Sequence, residues 1–255
     1  MQSRLSVDAL LELMYQGSLE TLYMVGVAAV FTLLLGLPTG VLLVVTRPGG
    51  VLPLPRLNMV LGIGINIGRS LPFVVLLIAL IPLTRLVVGT SLGSTAAIVP
   101  ITLGAFPFFA RVVESALDEV DKGRVEAVLA MGGSGWHVVV KALLPEALPA
   151  LLAGLTLTVV MLIGFSSMAG VVGGGGLGDL AIRYGYQRFD DKVMAGTVVM
   201  LLLLVQLVQG GGQAGAGTGP SPLGARLLIR PAVRCQPIKK RALARFFCNH
   251  IKGST

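Results

Sequence analysis

Two long charge-free stretches decide what this chain can become. Thr21 to Thr46 holds no charged residue, and neither does Ala147 to Gly178. At about 1.5 Å per helical residue, either stretch exceeds the ~30 Å hydrocarbon core of a bilayer. Soluble domains carry roughly a quarter of their residues as charges and leave few such runs; here the share is 13%. Inside lipid every spanning backbone group must be bonded within its own segment, which makes these runs helices. The chain is expected to be an all-α, polytopic membrane protein, with room nowhere for a soluble catalytic domain.

The net charge of +8 belongs to one end. Eight of the twenty basic residues lie in 210–255, which has no acid, so residues 1–209 carry twelve basic and twelve acidic groups. Both cysteines, Cys235 and Cys248, are in the same stretch and form neither a disulfide framework nor a metal spacing. The chain is read in three parts: an N-terminal segment (1–16), a membrane domain (17–209) and a basic, low-complexity tail (210–255). Val7, Leu10, Leu11 and Met14 share one helical face, which is either an interfacial amphipathic helix or an ordinary frayed terminus. Asp8, Glu12 and Glu20 exclude a cleavable signal peptide from the expectation and leave the first span as the insertion signal. The tail, glycine-rich and then proline-spotted, is expected to be disordered or weakly bound to membrane lipid. It is either the product of a frame change near Gly210 or an arm for anionic lipid.

Five spans are expected, at about 21–46, 57–83, 95–110, 146–172 and 193–209. Arg69 interrupts the second. An arginine at mid-span costs about 2.5–3.5 kcal/mol on insertion scales, and it normally faces a bundle interior or an aqueous cavity. Pro72 follows three residues later and frees a backbone carbonyl. Arg69 therefore either lines a solute path or holds a kink. The third span is short for a crossing. It either begins nearer Leu86 or is an irregular helix inside the bundle. After the fourth, Gly173–Gly176 breaks the helix, and 178–192 reads as a polar loop anchored by Tyr184, Tyr186 and Phe189. Charge asymmetry leaves orientation undecided without the tail: six basic loop residues fall on one side and five on the other. The tail raises the count to fourteen against five and favours a cytoplasmic C-terminus.

One polar insertion stands out, Glu126 to Pro145, EAVLAMGGSGWHVVVKALLP. Arg124 to Met131 reads as a short helix that Gly132-Gly133 can close with a left-handed turn. Ser134 can cap a second helix through Leu144, and Pro145 leads into the fourth span. Val125, Val128 and Leu129 form one apolar face, and Trp136, Val139, Val140 and Leu143 another. Such a knob either plugs into a partner's groove or packs back on its own spans.

The twenty-residue register resembles the coupling loop of ABC-importer permeases: E-A-A, three residues, G, nine residues, I-x-L-P. Glu126, Ala127 and Gly132 match, Val128 and Ala142 are apolar replacements, and Leu144-Pro145 closes the pattern. Gly68–Leu77, Arg85–Pro100, Ala110–Leu117 and Gly164–Asp190 narrow the likeness to methionine ABC transporter permeases, over about residues 10–209. The resemblance implies a type I importer permease fold of five spans with cytoplasmic coupling helices, N-terminus outside and C-terminus inside the bacterial inner membrane. It implies a homodimer working with two copies of an ATPase subunit and an extracytoplasmic lipoprotein that delivers D- or L-methionine. This chain would then be no enzyme and bind no cofactor or nucleic acid; ATP and Mg would sit on the ATPase. Gly173–Gly176 lacks the Lys-Ser/Thr of a phosphate-binding loop.

In that scheme Glu126 pairs with the ATPase or with backbone, Ala127 permits close approach and Gly132 permits the turn. Leu144 and Pro145 set the angle at which motion enters the fourth span. Arg69, Ser166, Ser167 and Met168 are the candidates for the substrate path. The alternatives are a permease for another small nutrient, such as a polar amino acid or osmoprotectant, and an ATPase-independent channel or secondary transporter.

Overall fold

A computed structural model describes residues 7–215; residues 1–6 and 216–255, with most of the basic tail, lie outside it. Among the described residues the regular structure is helical. Helix α1 (Val7–Thr46) runs 40 residues without interruption, through Pro38. Residues 7–16 are helical and continue directly into the first span. Met14 is buried, but Leu11 is 63% exposed.

The expected second span is not one helix. It divides into α2 (Pro55–Ser70), α3 (Phe73–Ala79) and α4 (Ile81–Val88). Leu71 and Pro72 are extended, and the chain turns by 104° between α2 and α3. Proline has no N–H to continue the ladder, and the residue before it is driven out of the helical region, so the break falls where Pro72 stands.

The third span is corrected in the other direction. Helix α5 (Ser94–Asp118) extends eight residues past Ala110 and places Arg111 and Glu114 on a helix rather than in a loop. These two form an ion pair, and Arg111 also donates to the Asn66 side chain at 3.0 Å. A charge that is paired and bonded across to α2 no longer has to end the helix. After α6 (Lys122–Ala130) and α7 (Gly135–Val138), a π turn over Val139–Leu143 leads into α8 (Leu144–Gly170).

Beyond α8, Gly173, Gly175 and Gly176 all take positive φ. The chain after them is helical rather than a loop: α9 (Gly176–Leu180) continues as a π turn to Tyr186. Glu20 and Thr21 of α1 accept from the N–H groups of Gly176 and Leu177 at 2.6 and 2.9 Å. These bonds satisfy donors at a helix start that a loop reading leaves open. The last helix, α10 (Asp191–Gly215), passes the expected end at Gln209. Gly212 lies so near Thr156 of α8 that a Cβ there would meet its hydroxyl at 2.1 Å.

Among the described residues four helices are long and apolar enough to cross a membrane, or five if the bent α2–α3 pair is one span. The bundle is organised on α1 and α5. Gly40 of α1 lies against α5 with room for no side chain; a Cβ there would be 2.6 Å from the Ala110 carbonyl. Helices in lipid gain little from apolar burial alone and associate through such close packing. Met24, Ala28, Ile101 and Leu162 centre one core cluster. Val44, Phe109, Leu117, Val138 and Leu143 form a second, beneath the α6–α7 knob. Outward faces stay greasy: Leu34 is 60% exposed and Leu207 76%. Lipid tolerates that where water would not.

Candidate functional site

The knob is closed by local chemistry. Asp121 caps α6, its carboxylate accepting from the Gly123 N–H at 2.7 Å. At the other end the Gly132 N–H donates to the Leu129 carbonyl and the Gly133 N–H to that of Val128, both at 2.9 Å. Gly132 takes φ +79°. This is the two-bond glycine closure of a helix C-terminus, and a side chain at Gly132 would be strained in it.

The second helix differs from expectation in detail. Ser134 stands at its N-cap position, but its hydroxyl meets Nδ1 of His137 at 2.8 Å and caps no backbone donor. The apolar face also divides. Val138, Val139 and Leu143 are buried in the second core cluster and Ala142 is buried too, whereas Trp136 and Val140 are exposed. The buried residues keep the i, i+1, i+4, i+5 spacing of a helical face; which face that is follows from packing on the second core cluster.

The result is a locally bonded knob with exposed apolar residues. Met131 is 79% exposed, Trp136 73% and Leu129 44%. Glu126, Ala127 and Gly132 are exposed beside them, as is Pro145 at the start of α8, while Leu144 is half-buried. Glu126 has no hydrogen-bond or ion-pair partner among the described residues. Arg124 instead pairs with Glu146 and ties α6 to the first turn of α8. Arg47, at the end of α1, pairs with Asp118 at the end of α5. The sequence reading missed Met131, an exposed apolar residue directly before the turn.

At the α2–α3 break lies a cavity of about 320 Å³. Arg69 lines it with Leu71, Phe73, Phe108, Met161 and Phe165. Of the four expected path residues only Arg69 lines this space. Ser166 and Ser167 both donate their hydroxyls to the Ile163 carbonyl of their own helix, at 2.8 and 3.1 Å. Met168 is 45% exposed and follows Met161 and Phe165 at i+7 and i+3, on the same face of α8. The aromatic lining escaped the sequence reading. Its available signal was the i, i+4 pair Met161–Phe165 together with Phe73 next to the breaking proline.

A knob on a helical bundle of this kind has counterparts. The family described as binding-protein-dependent transport system inner membrane component matches residues 33–209. The chain belongs to that family. It is thus a multi-pass inner-membrane transport component. A probable D-methionine transport system permease protein, MetI, of Vibrio cholerae is 53% identical over 203 residues, covering 80% of this chain and 90% of that protein. The corresponding Pasteurella multocida protein is 52% identical over 198 residues, 78% and 91% of the two chains. Among solved structures, an inward-facing MetNI methionine ABC transporter matches with TM-score 0.81 and 46% identity, over 83% of this chain and 98% of that one. An amino acid ABC transporter matches at TM-score 0.63 with 20% identity and shares the fold.

Proposed function

We propose that this chain is the permease subunit of an ATP-driven importer of methionine, and that it acts as a lever and a path while doing no covalent chemistry itself. The observation that carries the reading is the knob: an exposed apolar tip of Leu129, Met131 and Trp136, built on the loop register of ABC permeases. The 53% identity to a probable D-methionine permease supports the substrate.

In this reading the tip seats in a cleft of an ATPase subunit, where ATP and Mg are bound. A rigid lever needs a fixed helix, a fixed turn and a fixed joint to the span it drives. Asp121 and Gly132 fix α6 at its two ends. The Arg124–Glu146 pair and the packing of Val138 and Leu143 join the knob to α8. Exposed Glu126 is placed to pair with the ATPase, and the small Ala127 lets the two backbones approach. Leu144 and Pro145 set the angle of α8. Two copies of this chain, two ATPase subunits and a delivering lipoprotein complete the importer. The N-terminus lies outside and the C-terminus inside. The solute route passes Arg69 and the Ser166–Met168 stretch.

The test is uptake of labelled methionine by cells that lack their own methionine importer and express this chain with its ATPase and delivery protein. Uptake is expected to stop when ATP hydrolysis on the ATPase is disabled and to be displaced by unlabelled methionine. Uptake that survives loss of ATP hydrolysis overturns the importer reading in favour of a channel or secondary transporter. Displacement only by a different nutrient overturns the substrate.

A further inference from the structure

The cavity at the α2–α3 break has the composition of a binding site for an amino acid. We propose that it is a substrate subsite within the permease itself. Arg69 takes the carboxylate, and Phe73, Phe108, Met161 and Phe165 take a flexible apolar side chain. The inference rests on the reading of this chain as an amino-acid importer subunit and extends it, because selection then occurs in the membrane as well as on the delivery protein.

The volume of about 320 Å³ falls within the ~300–1,000 Å³ of small-molecule sites. Arg69 is exposed in the last turn of α2, and among the described residues no carboxylate pairs with it. A carboxylate ligand would supply the missing partner, and the planar guanidinium fork matches its two oxygens.

The arginine is held in place from behind. Gly68 lies on Pro107 of α5, close enough that a Cβ would sit 2.9 Å from the proline Cγ. One turn earlier Asn66 accepts from Arg111 at 3.0 Å, and the Ser70 hydroxyl donates to the Asn66 carbonyl at 2.7 Å. The last turn of α2 is therefore fixed on α5, and Arg69 stands at the rim.

The facing wall is soft and polarisable. Phe73 of α3 and Phe165 of α8 stack with ring centroids 4.0 Å apart and planes 5° from parallel. Gly104 of α5 closes the space behind them; a Cβ there would be 3.1 Å from Phe73 and 3.4 Å from Phe165. Aromatic rings and a methionine attract thioether sulfur and adapt to unbranched chains. Among the described residues no acidic group lines the cavity, so the substrate's carboxylate and side chain are the groups it recognises. One charge contact on an apolar floor also suits a site that must release what it binds.

Photo-methionine, whose diazirine replaces the thioether, tests this on the permease–ATPase complex in lipid nanodiscs. After irradiation, mass spectrometry is expected to find label on peptides carrying Phe73, Met161 or Phe165, displaced by excess methionine. Methioninol, which lacks the carboxylate, is expected to displace it about tenfold less well. Arg69→Gln is expected to lower the label by about the same factor, and Arg69→Lys to restore part of it. Label found only elsewhere, or unchanged in Arg69→Gln, overturns the site. Should Arg69→Gln fail to accumulate, Gly104→Val fills the cavity and leaves the arginine; full labelling in that variant overturns the site equally. Uptake by importer-deficient cells that express the wild-type chain with its ATPase and delivery protein separates the two readings. Label without methionine uptake overturns the transport function and leaves the site standing. Uptake without label in the cavity overturns the site alone.

Discussion

The knob at 122–145 and the broken segment at 55–88 both depart from a continuous membrane helix, but they are built in opposite ways. The knob is closed by bonds between near neighbours: Asp121 to Gly123, and Gly132 and Gly133 back to Leu129 and Val128. Its proposed docking face is what remains exposed after Val138 and Leu143 are buried. The broken segment is local only at Pro72. Its geometry depends on α5 and α8, through Gly68 on Pro107, Asn66 on Arg111 and Phe73 on Phe165. A projecting lever can be specified by its own residues. A cavity exists only between elements, so its residues are scattered along the chain.

The sharpest way to break this comparison is Gly132→Pro. Proline cannot reach φ +79° and removes the N–H that bonds Leu129, so α6 loses its closure. ATP-driven uptake is expected to be abolished with the chain still inserted; unchanged uptake means the turn is not part of the lever. Next in size is Trp136→Ala at the exposed tip. A buried aromatic anchor at an interface contributes about 2 kcal/mol, so ATPase affinity should fall about thirtyfold in a pull-down titration. An unaltered titration would place the docking surface elsewhere.

Arg69→Ala is expected to cut transport about tenfold, the loss of a charge-assisted contact, with membrane abundance little changed. Uptake falling only in step with abundance would assign Arg69 to the kink. Smallest is Arg124→Ala. Its pair with Glu146 is largely exposed, at 60% and 38%, and such pairs contribute about 0.2–1 kcal/mol. A modest drop in uptake per ATP hydrolysed is expected, recovered by exchanging the two charges. A loss as large as that of Gly132→Pro would show that the joint to α8, not the turn, limits the lever.

The residues themselves carried much of this. Charge-free runs identify α1 and α8, because lipid admits only internally bonded helices. The glycine pair at 132–133 announces a helix closure, because the left-handed region excludes most side chains. Three of the misplacements share one cause. The end of α5, the passage of α10 through Gly210–Gly212 and the helicity of 176–186 all depend on contacts with distant segments. Arg111 reads as a loop residue until Asn66 and Glu114 are seen around it. Gly212 reads as a helix breaker until Thr156 is seen against it. Packing on the second core cluster likewise decided which of Trp136, Val139 and Val140 face outward.

By itself, then, the sequence determined that the chain is a membrane bundle and that it carries a glycine-closed knob. Both come from local rules: hydropathy over twenty or so residues, and backbone angles over two. Tertiary structure alone decided which knob residues form the exposed tip and where Arg69 stands. Exposure and enclosure are properties of neighbours, and the neighbours of Arg69 come from α3, α5 and α8.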